Sequence, residues 1–199
     1  MDLILAFLIG YVSGSIPFGL LLAKAAGKGD IRFIGSGNIG ATNVLRTGSK
    51  WLAAATLLLD FAKGLAPVLI VRALFGGADT PFDPVPLAAL GAVLGHCFPV
   101  WLKFKGGKGV ATNAGVSFGL AWPIGLAYAV VWIAVLAVLR ISSVAGMSAV
   151  VAAAIAAYAL GYEQFVPILA IIAVLIIWLH RANIGRLTRG EEPKVGAKK

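Results

Sequence analysis

A chain of 199 residues in which 60% of the side chains are hydrophobic and only 13% are charged cannot cover itself with the polar surface that a soluble domain needs. Its single cysteine excludes an internal disulfide, and its net charge of +9 is explained by basic cytoplasmic loops that contact anionic lipid, so no nucleic acid is required as a partner. The composition therefore predicts an integral membrane protein.

Seven apolar segments approach the ~20 residues that a helix needs to cross a bilayer. The fourth is short, and the choice between six and seven spans depends on it. We predict an all-α bundle of seven transmembrane helices that forms one polytopic domain over residues 1–199, with a flexible tail from about residue 190. The predicted spans are Leu3–Ala26, Trp51–Phe75, Val85–Leu102, Ala111–Trp122, Ile124–Leu139, Val144–Leu160 and Gln164–His180.

The distribution of lysine and arginine predicts the topology. Basic residues collect in the segments that follow the first, third and fifth spans and in the C-terminal tail, whereas residues 76–84 contain none. By the positive-inside rule, seven spans place the N-terminus outside and the C-terminus in the cytoplasm, and every basic loop then agrees. The first segment does not resemble a cleavable signal, because Asp2 precedes it and Lys24 and Lys28 follow it.

The first loop, "GSGNIGATNVLR" at residues 35–46, has the glycine spacing of a dinucleotide-binding fingerprint. That motif requires a strand before it and a crossover helix after it, and this loop joins two membrane spans, so a dinucleotide site is excluded. The loop is instead dense in small polar groups, which favours anion binding by backbone N–H groups and an arginine fork over a mere flexible connector. Its candidate binding residues are Gly35, Ser36, Gly37, Asn38, Thr42, Asn43 and Arg46.

The second loop, "GHCFPVWLKFKGGKGVAT" at residues 95–112, places glycines between lysines and indicates a second anion cradle. It is not a Walker loop, because Gly109 stands where a serine or threonine would hold magnesium. A positive-inside anchor would account for the lysines but not for the glycines. The candidate residues are Lys105, Gly106, Gly107, Lys108 and Gly109.

The third site is "HRANIGRLTRGEE" at residues 180–192, where His180 and Asn183 share a helix face. A histidine at a membrane boundary is also a common interfacial anchor, and His96 is a second candidate.

Two further features lie within spans. "SGSIPFG" at residues 13–19 interrupts the first helix and predicts either a kink or close helix packing. "LDFAKG" at residues 59–64 predicts an internal ion pair of Asp60 with Lys63.

Together the three loops resemble those of the bacterial acyl-phosphate:glycerol-3-phosphate acyltransferases, in family order and over nearly the whole chain. The resemblance implies a multi-pass enzyme of the bacterial inner membrane with its active site at the cytoplasmic face. Its substrates would be acyl phosphate and glycerol 3-phosphate, and it would release lysophosphatidic acid and phosphate in the first step of phospholipid synthesis. It would use no cofactor or metal, would contact membrane lipid and would act as a monomer. Neither histidine begins the His-x4-Asp motif of other glycerol-phosphate acyltransferases.

The resemblance also assigns roles to residues. His180 and Asn183 would lie at the reacting centre, the lysine-glycine loop would hold the acyl phosphate, and Glu191 would hold the loop structure. One of Ser142 and Ser143 would complete the site, and we favour Ser143. Ser36 and Arg46 would bind phosphate and are counted with His180 and Asn183 as catalytic.

The chemistry agrees with this assignment, because acyl phosphate is already activated and needs only proximity, charge neutralisation and removal of a hydroxyl proton. Either His180 or a substrate phosphate takes that proton. A transporter of an anionic phosphorylated metabolite is the alternative, but its polar groups would lie near the midplane, and here they collect on one side.

Overall fold

The structure is a computed structural model that describes residues 1–196, and within that range it contains ten α-helices and no β-strand. Short 3-10 turns at Ile31–Phe33, Leu45–Thr47, Val100–Leu102 and Glu163–Phe165 connect some of them. The predicted flexible tail reaches residues 197–199, which lie outside the described residues. The helices are α1 (Asp2–Gly14), α2 (Phe18–Ala25), α3 (Ala41–Val44), α4 (Lys50–Phe75), α5 (Pro84–Cys97), α6 (Val110–Leu120), α7 (Trp122–Leu139), α8 (Ser142–Ala159), α9 (Val166–Leu179) and α10 (Arg181–Thr188).

Within residues 1–196, 5 helical segments are long and apolar enough to cross a membrane, or 6 if the bent pair α9–α10 counts as one. Helix α6, which corresponds to the predicted fourth span, has only 11 residues and falls below that length. Large apolar side chains such as Leu58, Val130, Ile155 and Val174 are exposed on the outer helix faces, as lipid contact requires. The chain is therefore an all-helical membrane protein with five or six candidate spans.

The first span is broken where the sequence predicts a kink. Helix α1 ends at Gly14 and α2 begins after Pro17, which supplies no backbone N–H and cannot continue the ladder of α1. The freed backbone carbonyls find side-chain donors from elsewhere. Lys63 Nζ donates to Ile16 O at 2.7 Å, and Trp101 Nε1 donates to Ser15 O at 2.8 Å.

Glycines allow the helices to approach closely. A Cβ atom on Gly10 or Gly14 of α1 would lie 2.1 or 2.0 Å from a carbonyl oxygen of α5, so only glycine permits this packing. In the same way, a Cβ atom on Gly64 would lie 2.1 Å from the Thr112 carbonyl oxygen, and one on Gly115 would lie 2.0 Å from the Phe61 carbonyl oxygen. These contacts press α6 against α4 and fix the start of α6 directly behind the second loop.

Candidate active site

The first loop is held together by local contacts centred on Asn43. Its side-chain amide donates to Ile31 O at 2.8 Å, and its Oδ1 accepts from the Ser36 amide N at 3.0 Å. Asn43 is 2% exposed. The polar atoms of Asn43 thus hold the loop from inside, and its predicted role in substrate binding stays a prediction.

The exposed side of the first loop carries Ser36, Thr42 and Arg46. Arg46 lies across Gly35, where a Cβ atom would come within 2.6 Å of Arg46 Cδ and Nη1, so a side chain at this position would displace the arginine. Within residues 1–196 the Arg46 guanidinium donates to no other residue, which leaves its planar fork available to a ligand.

Backbone geometry explains why glycine and asparagine occupy two further predicted positions of this loop, Gly37 and Asn38. Gly37 adopts a φ of +70°, which is a left-handed conformation that glycine tolerates. Asn38 Oδ1 accepts a hydrogen bond from the Gly40 amide N at 3.2 Å and so stabilises the turn itself.

Two glycines of the second loop pack against the end of α5. The amide N of Gly106 donates to Cys97 O and that of Gly107 donates to His96 O, each at 3.0 Å. Both N–H groups are therefore bonded to backbone carbonyls, and the predicted anion cradle at these two positions stays a prediction. A Cβ atom on Gly107 would lie 2.0 Å from His96 Nε2, and one on Gly106 would lie 2.1 Å from His96 O.

The remaining part of the second loop carries the two candidate lysines, Lys105 and Lys108. Gly109 adopts a φ of +84° as the residue that precedes α6, so Lys108 stands just before the N-terminus of that helix. Lys105 is exposed and makes no ion pair or side-chain hydrogen bond within residues 1–196. Lys108 is partly buried and donates through Nζ to Asn183 Oδ1.

Lys108 belongs to a network that joins three distant segments of the chain. Asn183 Nδ2 donates to Glu192 Oε1 at 2.6 Å, and Ser143 Oγ donates to the same oxygen at 2.7 Å. Arg186 Nε donates to Glu192 Oε2 at 2.7 Å. The start of α8 and the third loop (residues 180–192) therefore meet at one carboxylate, and the second loop joins them through Asn183. We call these five residues the Glu192 network.

The electrostatics of this network favour an anionic ligand. Burial lowers the pKa of Lys108 below its usual value, and the nearby positive charges of Arg186 and Arg181 add to that lowering. Burial raises the pKa of the Glu192 carboxyl, but the hydrogen bonds that it accepts outweigh burial and hold the pKa below its usual value. The charges that act on Lys108 are thus one carboxylate and two guanidinium groups, so positive charge exceeds negative charge at this point.

Glu192 is a residue that the sequence analysis missed. Glu192 joins the third loop to α8 through Ser143, whereas the exposed Glu191 side chain pairs, among residues 1–196, with Arg189 alone, at 2.7 Å between Oε2 and Nε. The structural role predicted for Glu191 stays a prediction. Gly190 turns the chain with a φ of +69°, and this turn directs Glu192 toward α8. Two adjacent glutamates after a glycine carry no sequence signal that says which one faces inward.

His180 lies at the bend between α9 and α10, where the axis turns by 57°. Its Nδ1 lies 2.7 Å from Ile176 O, and since a carbonyl only accepts, Nδ1 carries the hydrogen. In the neutral ring Nε2 then has a free lone pair, which is the form that a general base requires. The charges of Lys108 and Glu192 lie near enough to act on the ring.

The two candidate serines differ in their surroundings. Ser143 is 4% exposed and belongs to the Glu192 network, whereas Ser142 is the partly exposed first residue of α8. The structure thus brings Ser143, Asn183 and Lys108 together. It does not bond them to the first loop: within residues 1–196, no side-chain hydrogen bond joins Ser36 or Arg46 to the Glu192 network.

An apolar groove of about 280 Å³ lies between α4, α6 and α7. It begins at Val110, two residues after Lys108, and Tyr128 spans its wall by donating from its hydroxyl to Val110 O at 2.8 Å. The groove is lined by Leu57, Leu58, Phe61, Val110, Ala111, Ala114, Phe118, Tyr128, Ala129, Trp132 and Ile133.

The chain is similar to known proteins over nearly its whole length. The glycerol-3-phosphate acyltransferase family model matches residues 4–190. The glycerol-3-phosphate acyltransferase of Erythrobacter litoralis (strain HTCC2594) is 68% identical over 198 residues, which cover 100% of this chain and 98% of that protein. The corresponding enzyme of Mesorhizobium japonicum is 57% identical over 196 residues, with 98% and 97% covered.

Solved structures agree with the sequence comparison. Crystal structures of PlsY (YgiH), an integral membrane glycerol 3-phosphate acyltransferase, match with 38% identity, and each match covers 98% of this chain and 96% of the other. The TM-score is 0.91 for the glycerol 3-phosphate form and 0.89 for the lysophosphatidic acid form. The chain therefore belongs to the glycerol-3-phosphate acyltransferase family.

Proposed function

We propose that this enzyme transfers the acyl group of an acyl phosphate to the 1-hydroxyl of glycerol 3-phosphate. The products are lysophosphatidic acid and inorganic phosphate. The observation that carries the proposal is the Glu192 network, because it fixes Lys108 and Asn183 beside His180 at one end of the bundle. The similar solved structures in a glycerol 3-phosphate form and a lysophosphatidic acid form support the acceptor and the product.

The acyl phosphate binds at the second loop. Lys108 has three ammonium hydrogens and uses one toward Asn183, so two remain for phosphate oxygens. The N-terminus of α6 adds free N–H groups and a positive dipole end, and Lys105 adds a second mobile charge. The acyl chain lies in the apolar groove, whose first residue, Val110, follows this loop almost directly.

The phosphate of glycerol 3-phosphate binds at the first loop. Both residues are exposed: Arg46 offers two parallel N–H groups, and Ser36 offers a hydroxyl that donates to Asn43 Oδ1 at 3.3 Å and can turn to a phosphate oxygen. The internal contacts of Asn43 keep this part of the backbone in place before the substrate arrives, which reduces the ordering cost of binding.

The transfer itself needs no covalent enzyme intermediate. The 1-hydroxyl oxygen attacks the acyl carbonyl carbon, the bond from that carbon to the phosphate oxygen breaks, and inorganic phosphate leaves. Lys108 and the end of α6 stabilise the negative charge that develops on the leaving phosphate. The hydroxyl proton passes either to Nε2 of His180 or to a substrate phosphate, and the two routes predict different behaviour of His180 variants, as described below.

The topology that suits this chemistry has seven spans, with the N-terminus outside and the active site at the cytoplasmic face. Helix α6 serves as the short fourth span, and residues 1–199 form one domain that works as a monomer. The basic loops support this orientation. Tags at the two ends should report opposite sides of the inner membrane, and two cytoplasmic ends would refute the arrangement.

The experiment that tests the function uses the purified protein in detergent. Acyl phosphate and glycerol 3-phosphate are supplied, and phosphate release and lysophosphatidic acid are measured together. We expect equal amounts of the two products, no turnover when acyl-CoA or acyl carrier protein replaces acyl phosphate, and no effect of a metal chelator. Turnover with acyl-CoA would contradict the proposed acyl donor. Loss of acyl-phosphate turnover on addition of chelator would contradict the absence of a metal.

A further inference from the structure

Three buried ionisable residues have no part in the acyl transfer described above. Asp60, Lys63 and His96 are 3%, 4% and 4% exposed. Lys63 Nζ lies 2.8 Å from Asp60 Oδ1, and His96 Nδ1 lies 3.8 Å from the same oxygen. Burying charges costs several kcal/mol per ion unless they are well paired, so a cluster of this kind needs a reason.

The cluster is anchored at one end to the break in the first span. Lys63 donates to Ile16 O at 2.7 Å, and the Lys63 carbonyl accepts from Ser13 Oγ at 3.0 Å. These bonds satisfy backbone and side-chain groups beside the α1–α2 break and hold the Lys63 ammonium in one place. The position of Asp60 beside that ammonium is therefore set by the break.

At its other end the cluster contacts the second loop through His96. The Gly107 amide N donates to His96 O at 3.0 Å, and the imidazole Nε2 occupies the space that a side chain on Gly107 would need. The ring therefore lies directly under the Gly107 backbone, and the next residue is Lys108. Within residues 1–196, His96 Nδ1 has no hydrogen-bond partner, and it faces Asp60 Oδ1, the oxygen that also pairs with Lys63.

We propose that His96 is a positioning residue for the second loop, and that Asp60 and Lys63 hold its ring in orientation. The ring holds the Gly107 backbone at a fixed distance from α5 and thereby directs the Lys108 side chain toward its ligand. The role of Lys108 rests on the proposed function, whereas the effect of His96 on the loop does not depend on it. A loop misplaced by about 1 Å lowers the rate by about 10²-fold, since reacting groups must meet in a narrow range of geometry.

The first test measures the loop without any ligand. Hydrogen exchange is followed in peptides that cover residues 103–109, whose Gly106 and Gly107 amides are bonded to the backbone of α5. We expect amide exchange to be fastest in His96→Ala, intermediate in His96→Gln and slowest in wild type, because glutamine retains part of the ring's volume. Wild-type exchange in a folded His96→Ala protein would overturn the proposal.

The second variant removes the charges that hold the ring. Asp60→Asn combined with Lys63→Met deletes both partners, so no lone charge stays buried and the fold is spared that penalty. We expect faster exchange at residues 103–109 here too. The matched control is Thr56→Val, which removes a buried hydroxyl of the same helix and should leave the loop unchanged. Among residues 1–196, that hydroxyl bonds to Leu52 O alone.

Kinetics then separate positioning from general destabilisation. His96→Gln and the Asp60/Lys63 double variant should raise the KM for acyl phosphate and leave the KM for glycerol 3-phosphate unchanged. An equal rise in both KM values, or the same effects in Thr56→Val, would show a merely structural role and overturn the proposal. If Lys108→Ala alone left acyl-phosphate turnover intact, the proposed function of the loop would fail, while the exchange result would stand by itself.

Discussion

The first loop and the Glu192 network contribute to the same proposed site but are built in opposite ways. In the first loop, Asn43 reaches Ile31 and Ser36, which lie 12 and 7 residues away in the chain, and Arg46 is exposed and unpaired within residues 1–196. In the network, Lys108 and Asn183 are 75 residues apart, and Ser143 and Glu192 are 49 apart. A loop with local contacts can present a ligand-binding group independently, whereas a network of distant segments forms only when the bundle packs.

The largest expected effect is at His180, which lies near Lys108 and Glu192 of the network. If His180 is the base, His180→Ala should lower turnover by about 10²–10⁴-fold, the usual share of acid–base catalysis. If substrate phosphate takes the proton, His180→Gln should retain much of the activity, because the amide still hydrogen-bonds. Turnover of both variants is measured across pH with folding checked by thermal unfolding. A folded His180→Ala protein with wild-type turnover would remove His180 from the site.

The next effect tests the first loop. Arg46→Lys should lower kcat/KM for glycerol 3-phosphate by about 10²–10³-fold, because an ammonium does not replace a two-pronged donor to phosphate. Thermal stability should not change, since Arg46 makes no bond within residues 1–196. Arg32→Lys is the matched control, because Arg32 is an exposed arginine just before this loop that pairs with Asp30 at 2.5 Å. Equal losses in both variants would argue against phosphate binding by Arg46.

A smaller effect should distinguish the two adjacent glutamates. Glu192→Gln should lower the free energy of unfolding by about 1–3 kcal/mol, because one charged acceptor of three hydrogen bonds is lost. Glu191→Gln should change it by less than about 0.5 kcal/mol, since that side chain is exposed. Chemical unfolding of both variants measures the difference, and equal effects would contradict the assignment of the buried role to Glu192.

The pH dependence of that difference follows from the depressed pKa of Glu192. A carboxyl whose pKa is lower in the folded state stabilises the protein above its unfolded pKa of about 4.3. This stabilisation is lost as the pH falls through the folded pKa. The gap between wild type and Glu192→Gln should therefore be full at neutral pH and shrink below about pH 4. A gap that does not vary with pH would contradict the ionised state of Glu192.

The smallest effect tests whether Asn43 acts from inside the first loop. Asn43→Ala should cost about 1–2 kcal/mol of stability, because the buried Ile31 carbonyl loses one of its two donors and the Ser36 amide loses its acceptor. Asn38→Ala is the control in the same loop, and should cost less because Asn38 is partly exposed and bonds only to the nearby Gly40. Differential scanning calorimetry compares the two, and a larger loss for Asn38 would reverse the interpretation.

Several features of this protein follow from the sequence alone because they depend on composition and on neighbours in the chain. The low fraction of charged residues excludes a soluble fold, and Pro17 with its small neighbours predicts the break between α1 and α2. The ion pair of Asp60 with Lys63 follows from a spacing of one helical turn. The glycine-rich loops stand out by their composition, and anion binding by Gly106 and Gly107 stays a prediction.

Only the tertiary structure decides which polar groups face inward. Neighbouring Glu191 and Glu192 are the same residue type, and Gly190 together with the packing of α8 turns just one of them into the network. His96 and Gly107 meet because the second loop folds back onto α5, and no local pattern records that contact. The physical reason is that helix periodicity and turn chemistry act over a few residues, whereas a buried hydrogen bond needs a partner that packing alone brings within reach.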